Sequence, residues 1–205
     1  MSLHPPISLA ALAAIPRWPA EHTRAVPGRV RGHALRDWGV HVRRRFGDRA
    51  ADTIRARLGV TEADLPDAPG RHLWVPIALQ IRLLQAITDN LLDGNPLQMD
   101  ALFSDSTGAA DRALTLAGRV AGPGMVLRMA GSWHASVCDV GRCEADVDGH
   151  RATLRFTGAT AFDDPSWRLS QALGVGSVFT SLKRPATRLD GESDAPRSFT
   201  LRLAW

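Results

Sequence analysis

At 205 residues, with 44% apolar and 22% charged residues, the chain has the composition of a soluble globular protein and the length of one domain with a sizeable core. Six Trp and six Phe stand beside no Tyr, which excludes any function that needs a tyrosine hydroxyl; two Cys exclude a disulfide framework and point to a reducing cytoplasm. The pI near 10.3 at first sight suggests a nucleic-acid binder, yet the charge is local: residues 24–57 hold ten Arg against Asp37, Asp48 and Asp52, and the remaining residues are net negative.

Residues 1–31 contain Pro5, Pro6, Pro16, Pro19 and Pro27 and are expected to form an arm that packs irregularly or not at all, ahead of a single domain over 32–205. Within the arm, the apolar run Ile7–Ile15 is too short to span a membrane and reads as a short helix capped at Ser8. The first body helix is predicted over 33–46, where Leu35, Trp38, Val42 and Phe46 form one stripe and Gly47 gives a stop. Asp48 is placed to cap a second helix with Ala51, Ile54 and Leu58 inward, followed by a turn region over Thr61–Gly70. A longer helix is predicted over 74–92, with Pro76 in its first turn and Ile77, Ile81, Leu84, Ile87 or Thr88, and Leu91 on the buried stripe. A helix broken at Ser104–Gly108 is expected over 97–121, and another follows Pro123 to about 132–136.

The pattern then changes period. Cys143, Ala145 and Val147 alternate with Glu144, Asp146 and Asp148, and Asp148-Gly149 is a hairpin signal. The return strand is set near 150–157, a helix over 165–182 opens at Asp164-Pro165, and two strands close the chain near 184–190 and 198–205. This order gives an α+β fold: an N-terminal helical part followed by an antiparallel ββαββ sheet unit, with the helices covering one face of the sheet.

The chain from Gly32 to Trp205 resembles an uncharacterised family of proteins of about this length, best populated in myxobacteria. The features that carry the resemblance are the Gly32…Gly39 entry segment, the helix beginning His72-Leu73-Trp74, the glycine-bounded helix before the hairpin and the terminal strand ending in Trp. More distantly, the helix-then-ββαββ plan is similar to heme–nitric oxide binding and 4-vinyl-reductase-type sensor domains. That resemblance implies a cavity between helices and sheet for a small hydrophobic ligand. The heme type uses a Tyr-x-Ser-x-Arg element for the propionates; with no Tyr in the chain, heme is not expected.

Both cysteines fall in the spacing His134-x3-Cys138-x4-Cys143-x6-His150. Zinc takes four N/S ligands in a tetrahedron, which these four residues would supply if they converged. The predicted elements spread them over a helix end, a loop and both hairpin strands, so zinc is the lesser reading, and a thiol pair at Cys138 and Cys143 is an alternative. The basic stretch Arg36–Arg57, with Arg36, Arg43, Arg44, Arg45 and Arg49 as its surface, could meet phosphates, but no nucleic-acid motif accompanies it and a solvated face is the simpler reading. Gly174-x-Gly176 lacks a third glycine and a preceding strand, and no paired carboxylates or G-x-S-x-G element is found.

These readings combine into a non-enzymatic cytoplasmic sensor or adaptor, a signalling domain with no membrane span. It would bind a small apolar ligand between helices and sheet, or a protein partner through the basic helix; a homodimer is compatible with it. The expected cavity lining is Trp74, Ile77, Ile81, Trp133, Phe156 and Trp167. The alternatives are a zinc or thiol protein and, less favoured, a nucleic-acid binder.

Overall fold

The computed structural model describes residues 7–35, 37–99, 122–184, 186–193 and 195–205. From Ile7 onward the proline-rich stretch, expected to pack irregularly or not at all, is built from short ordered pieces. Strand β1 (Ile7–Ser8) leads into helix α1 (Leu9–Ala13), where the Ser8 hydroxyl accepts a hydrogen bond from Ala11 N at 3.3 Å. Helix α2 (Ala20–Arg24) and strand β2 (Arg29–Arg31) follow. Pro16, Pro19 and Pro27 fall between these pieces, where a fixed φ and a missing N–H prevent any one element from extending. Leu12, Val26 and Val30 are buried in the common core.

The predicted 33–46 helix is divided. A 3-10 turn over Gly32–Leu35 precedes α3 (Trp38–Phe46), and Asp37 between them has a left-handed φ of 51°. Leu35, Trp38 and Val42 are buried as the stripe requires. Helix α4 (Ala50–Leu58) buries Ala51, Ile54 and Leu58, but its first turn has no side-chain cap, so Asp48 does not take that role. Residues 74–76 are a strand, β3 (Trp74–Pro76), paired antiparallel with β2 through Val30↔Val75. Helix α5 (Ile77–Leu91) starts only after it, with Pro76 as N-cap residue rather than inside the first turn. The helix expected over 97–121 falls almost wholly outside the described residues.

After Gly122, two short helices replace the single one expected, α6 (Pro123–Arg128) and α7 (Ala130–Val137). The hairpin strands are β4 (Arg142–Asp148) and β5 (Arg151–Thr157). Asp148 pairs with Arg151, so the turn residues are Gly149 and His150, one position later than the Asp148-Gly149 signal implied. Helix α8 (Pro165–Ser181) is capped by Asp164, whose Oδ1 accepts from Trp167 N at 2.9 Å. Strands β6 (Arg188–Glu192) and β7 (Ser198–Ala204) complete the ββαββ unit.

The fold is α+β. A five-stranded antiparallel sheet has the order β1-β6-β7-β5-β4, with β2-β3 as a separate ribbon. The terminal alternation puts Phe199, Leu201 and Leu203 beside Ala152, Leu154 and Phe156 on one face, all buried. Trp167 meets that face from α8, its ring edge-on to Phe156 at 5.3 Å and to Phe199 at 6.4 Å. On the same sheet α7 lies close to β4: a Cβ built at Gly131 would stand 2.6 Å from the Cys143 carbonyl oxygen, so only glycine permits the approach. No described helix is long and apolar enough to cross a membrane.

Candidate functional site

A partly open cavity of about 110 Å³ lies where α3, α5, α7 and α8 face one another. Each element gives it the residues that a helical turn brings to one side. Helix α3 contributes Trp38 and His41, and α5 contributes Ile77, Gln80, Leu84 and Ile87. Helix α7 contributes Trp133, His134 and Val137, with Cys138 just beyond its end, and α8 contributes Trp167, Ser170, Gln171 and Gly174. Val30 and Met99 also reach it. The walls are apolar and aromatic with a few neutral polar groups, the composition of a small-molecule site.

The α7 end is fixed by the N-terminal ribbon. Val30 and Cys138 form an antiparallel bridge, and Asp139 accepts from Arg29 N at 2.6 Å and from Arg29 Nε at 2.9 Å. This attachment sets His134, which is 4% exposed and has Phe156 and Phe162 edge-on at 5.9 and 5.8 Å. Its Nε2 lies 3.2 Å from the Val140 carbonyl oxygen. A carbonyl can only accept, so Nε2 carries the hydrogen and the basic nitrogen is Nδ1. Burial lowers the pKa of His134 and outweighs this hydrogen bond, which keeps the imidazole neutral at neutral pH. The Cys138 thiol donates to the same carbonyl at 3.3 Å, and burial raises its pKa.

The four residues of the Cys/His stretch therefore separate. His134 and Cys138 share the Val140 carbonyl at the cavity, whereas Cys143 is buried in β4 opposite Phe156 and His150 sits in the hairpin turn, its ring 6.1 Å from that of Trp205. Burial pushes the Cys143 thiol up to about 12, so it is protonated and no nucleophile at neutral pH. Both cysteines are free thiols, and no group of three or more metal-ligating side chains gathers among the described residues. The zinc expectation is corrected accordingly.

Of the residues expected to line a cavity, the structure places Ile77, Trp133 and Trp167 on its wall. Ile81 and Phe156 lie in the solid core, and Trp74 lies in β3 beneath Arg31, whose guanidinium carbon is 4.3 Å from the ring centre. Trp38, His41, Gln80, Ser170 and Gln171 were missed as lining. Their signal was spacing: Trp38 and His41 stand three apart on α3, and Ser170 and Gln171 stand three and four residues after Trp167 on α8.

The basic stretch is partly neutralised from within. Arg43 donates to Asp67 at 2.5 Å and to Asp52 at 2.9 Å; Arg55, 4% exposed, donates to Asp52 at 2.8 Å and also to Asp67. Arg44, Arg45 and Arg49 are exposed, and Arg36 lies outside the described residues.

No family model and no curated protein matches the chain, so the myxobacterial resemblance is not shown. Solved structures do match. One, from work on modulating heme redox potential through protein-induced porphyrin distortion, aligns with TM-score 0.54 and 10% identity over 85% of this chain and 99% of that one. Another, from work probing the function of heme distortion in the H-NOX family, aligns with TM-score 0.52 and 12% identity over 85% and 94%. The likeness is one of fold. It nevertheless overturns the expectation against heme: that expectation rested on one missing tyrosine, and the fold proves to be one that H-NOX structures share.

Proposed function

We propose that this chain is a ligand-sensing domain whose cavity beside His134 holds a small, largely apolar ligand, with heme the first ligand to test. The observation that carries the reading is a neutral, buried imidazole on the wall of a tryptophan-lined cavity. The donor chemistry fits heme, because an iron ligand must be an unprotonated imidazole nitrogen and burial maintains that state here. His134 would hold the iron, and Trp38, Trp133 and Trp167 would supply apolar surface. Bound heme supplies an iron centre at which a small gas binds or an electron is exchanged, as its surroundings decide. The chain's own part is to exclude water with the tryptophans and to keep a proton off His134 Nδ1.

The open space of about 110 Å³ is below the roughly 300–1,000 Å³ of sites that take drug-sized ligands. A macrocycle therefore requires the walls to part, and the Nε2 hydrogen bond to Val140 to loosen if that nitrogen is the ligand. Titration of the purified chain with hemin tests this. The expected result is a shifted absorption band saturating at one hemin per chain, weakened at least tenfold by His134→Ala and restored by added imidazole. Hemin absorbance that rises without saturation in the wild type would reject heme as the ligand.

A further inference from the structure

A second cavity, of about 270 Å³, lies between the α1 segment, α5 and the start of α8. It is independent of the heme reading. Its wall includes Leu12, Leu84, Leu169 and Met99, and Leu84 and Met99 also face the first cavity. Among the described lining residues, an arginine belongs to this cavity and not to the first. Arg17, 37% exposed, uses Nη1 in a 2.7 Å pair with Asp89, itself 52% exposed. A guanidinium has five N–H donors in a planar fork, and an exposed pair of this kind contributes little, so a second carboxylate can be met without large cost.

Two neutral groups stand on the same wall. The Gln85 side-chain amide donates to the Ser166 hydroxyl at 3.3 Å, which leaves that hydroxyl's own hydrogen to donate elsewhere. Thr88 contributes less, since its hydroxyl donates to the Leu84 carbonyl at 2.8 Å. The wall thus carries both hydrogen-bond donors and aliphatic side chains. An apolar cavity of roughly 150 Å³ already takes up benzene, so this one has room for a longer aliphatic group.

We infer that this second cavity is a binding site for a small amphipathic carboxylate, an unbranched alkyl acid whose headgroup meets Arg17 and Ser166 and whose chain lies against Leu12, Leu84 and Leu169. Asp89, paired with the same guanidinium, repels a dianion more strongly than a monoanion.

Calorimetric titration of the full chain with sodium decanoate, and with decanol as the uncharged comparison, tests the inference. Saturable decanoate binding at one site per chain is expected, at least tenfold tighter than decanol. Arg17→Gln should weaken decanoate at least tenfold and leave decanol unchanged. Ala13→Trp, which fills the cavity from its half-buried rim, should abolish both; unchanged thermal melting of each variant shows that the fold persists. No saturable decanoate binding to the wild type, equal binding of decanol, or decanoate binding that survives both substitutions would overturn the inference. Hemin binding is read separately by absorbance, so failure of either site is distinguishable from failure of the other.

Discussion

Two groups of chemistry-bearing side chains meet at Trp38 and behave in opposite ways. On one side, the Arg55 guanidinium lies 5.5 Å from the Trp38 ring centre within a closed set of ion pairs to Asp52 and Asp67. On the other, Trp38 forms the cavity wall with His41 and His134. The arginine side has charge but spends it internally, so its burial is a matter of structure. The imidazole side has little charge, and a desolvated basic nitrogen beside open space is a matter of chemistry. Residue type alone pointed to reactive sites in both places; burial and pairing distinguish them.

The largest effect is expected from opening the closed side. Asp67→Ala leaves Arg55 buried with only part of its pairing, and breaking a buried pair in this way costs about 3–5 kcal/mol. Urea unfolding measures it, and a loss below about 1 kcal/mol would mean that Asp52 and the Leu65 carbonyl suffice for Arg55. Next is the support under the cavity. Gly131→Ala puts a methyl group against the Cys143 carbonyl and should cost about 1–3 kcal/mol by forcing α7 off β4. It should also weaken ligand binding at His134, which sits on the same helix.

A smaller effect separates the two sides by pH. Burial holds the folded pKa of His134 below its unfolded value of 6.5, so the unfolded chain takes up the proton first as the solution is acidified. The stability that the neutral imidazole contributes is present above pH 6.5 and is lost as pH falls through the folded value. Stability measured from pH 7.5 downward should therefore fall in this window, and His134→Gln should flatten that part of the curve; an unchanged curve would place the dependence elsewhere. The smallest effects belong to the exposed arginines. Arg44→Gln, Arg45→Gln and Arg49→Gln should each change stability by no more than about 0.5 kcal/mol, since these side chains lie outside the closed set.

The sheet half was legible in the sequence because its signal is local. Alternation at Cys143–Val147 and at Phe199–Leu203 sets which face is buried, and the hairpin turn pins the register. The turn moved by one residue because Gly149, at φ 54°, takes the first turn position itself. The ribbon of β2 and β3 was not legible: Trp74-Val75-Pro76 adjoins a helical pattern, and its strand character comes from pairing with Arg29–Arg31, far away in the chain. The same limit applies to the site. Periodicity identifies Ile77 and Ile81 as buried, but only the placement of α3 and α7 around the cavity decides that Ile77 meets space and Ile81 meets core. His41 stood as a lone histidine on an apolar face, with no neighbour in sequence to mark it.

The central claim is that the space beside His134 admits a ligand. Xenon enters apolar cavities without chemical recognition, so diffraction from a xenon-pressurised crystal tests that claim most directly. A xenon peak is expected among Ile77, Leu84, Trp133 and Trp167. A map with xenon elsewhere and none at this position, its walls closed on one another, would contradict the claim.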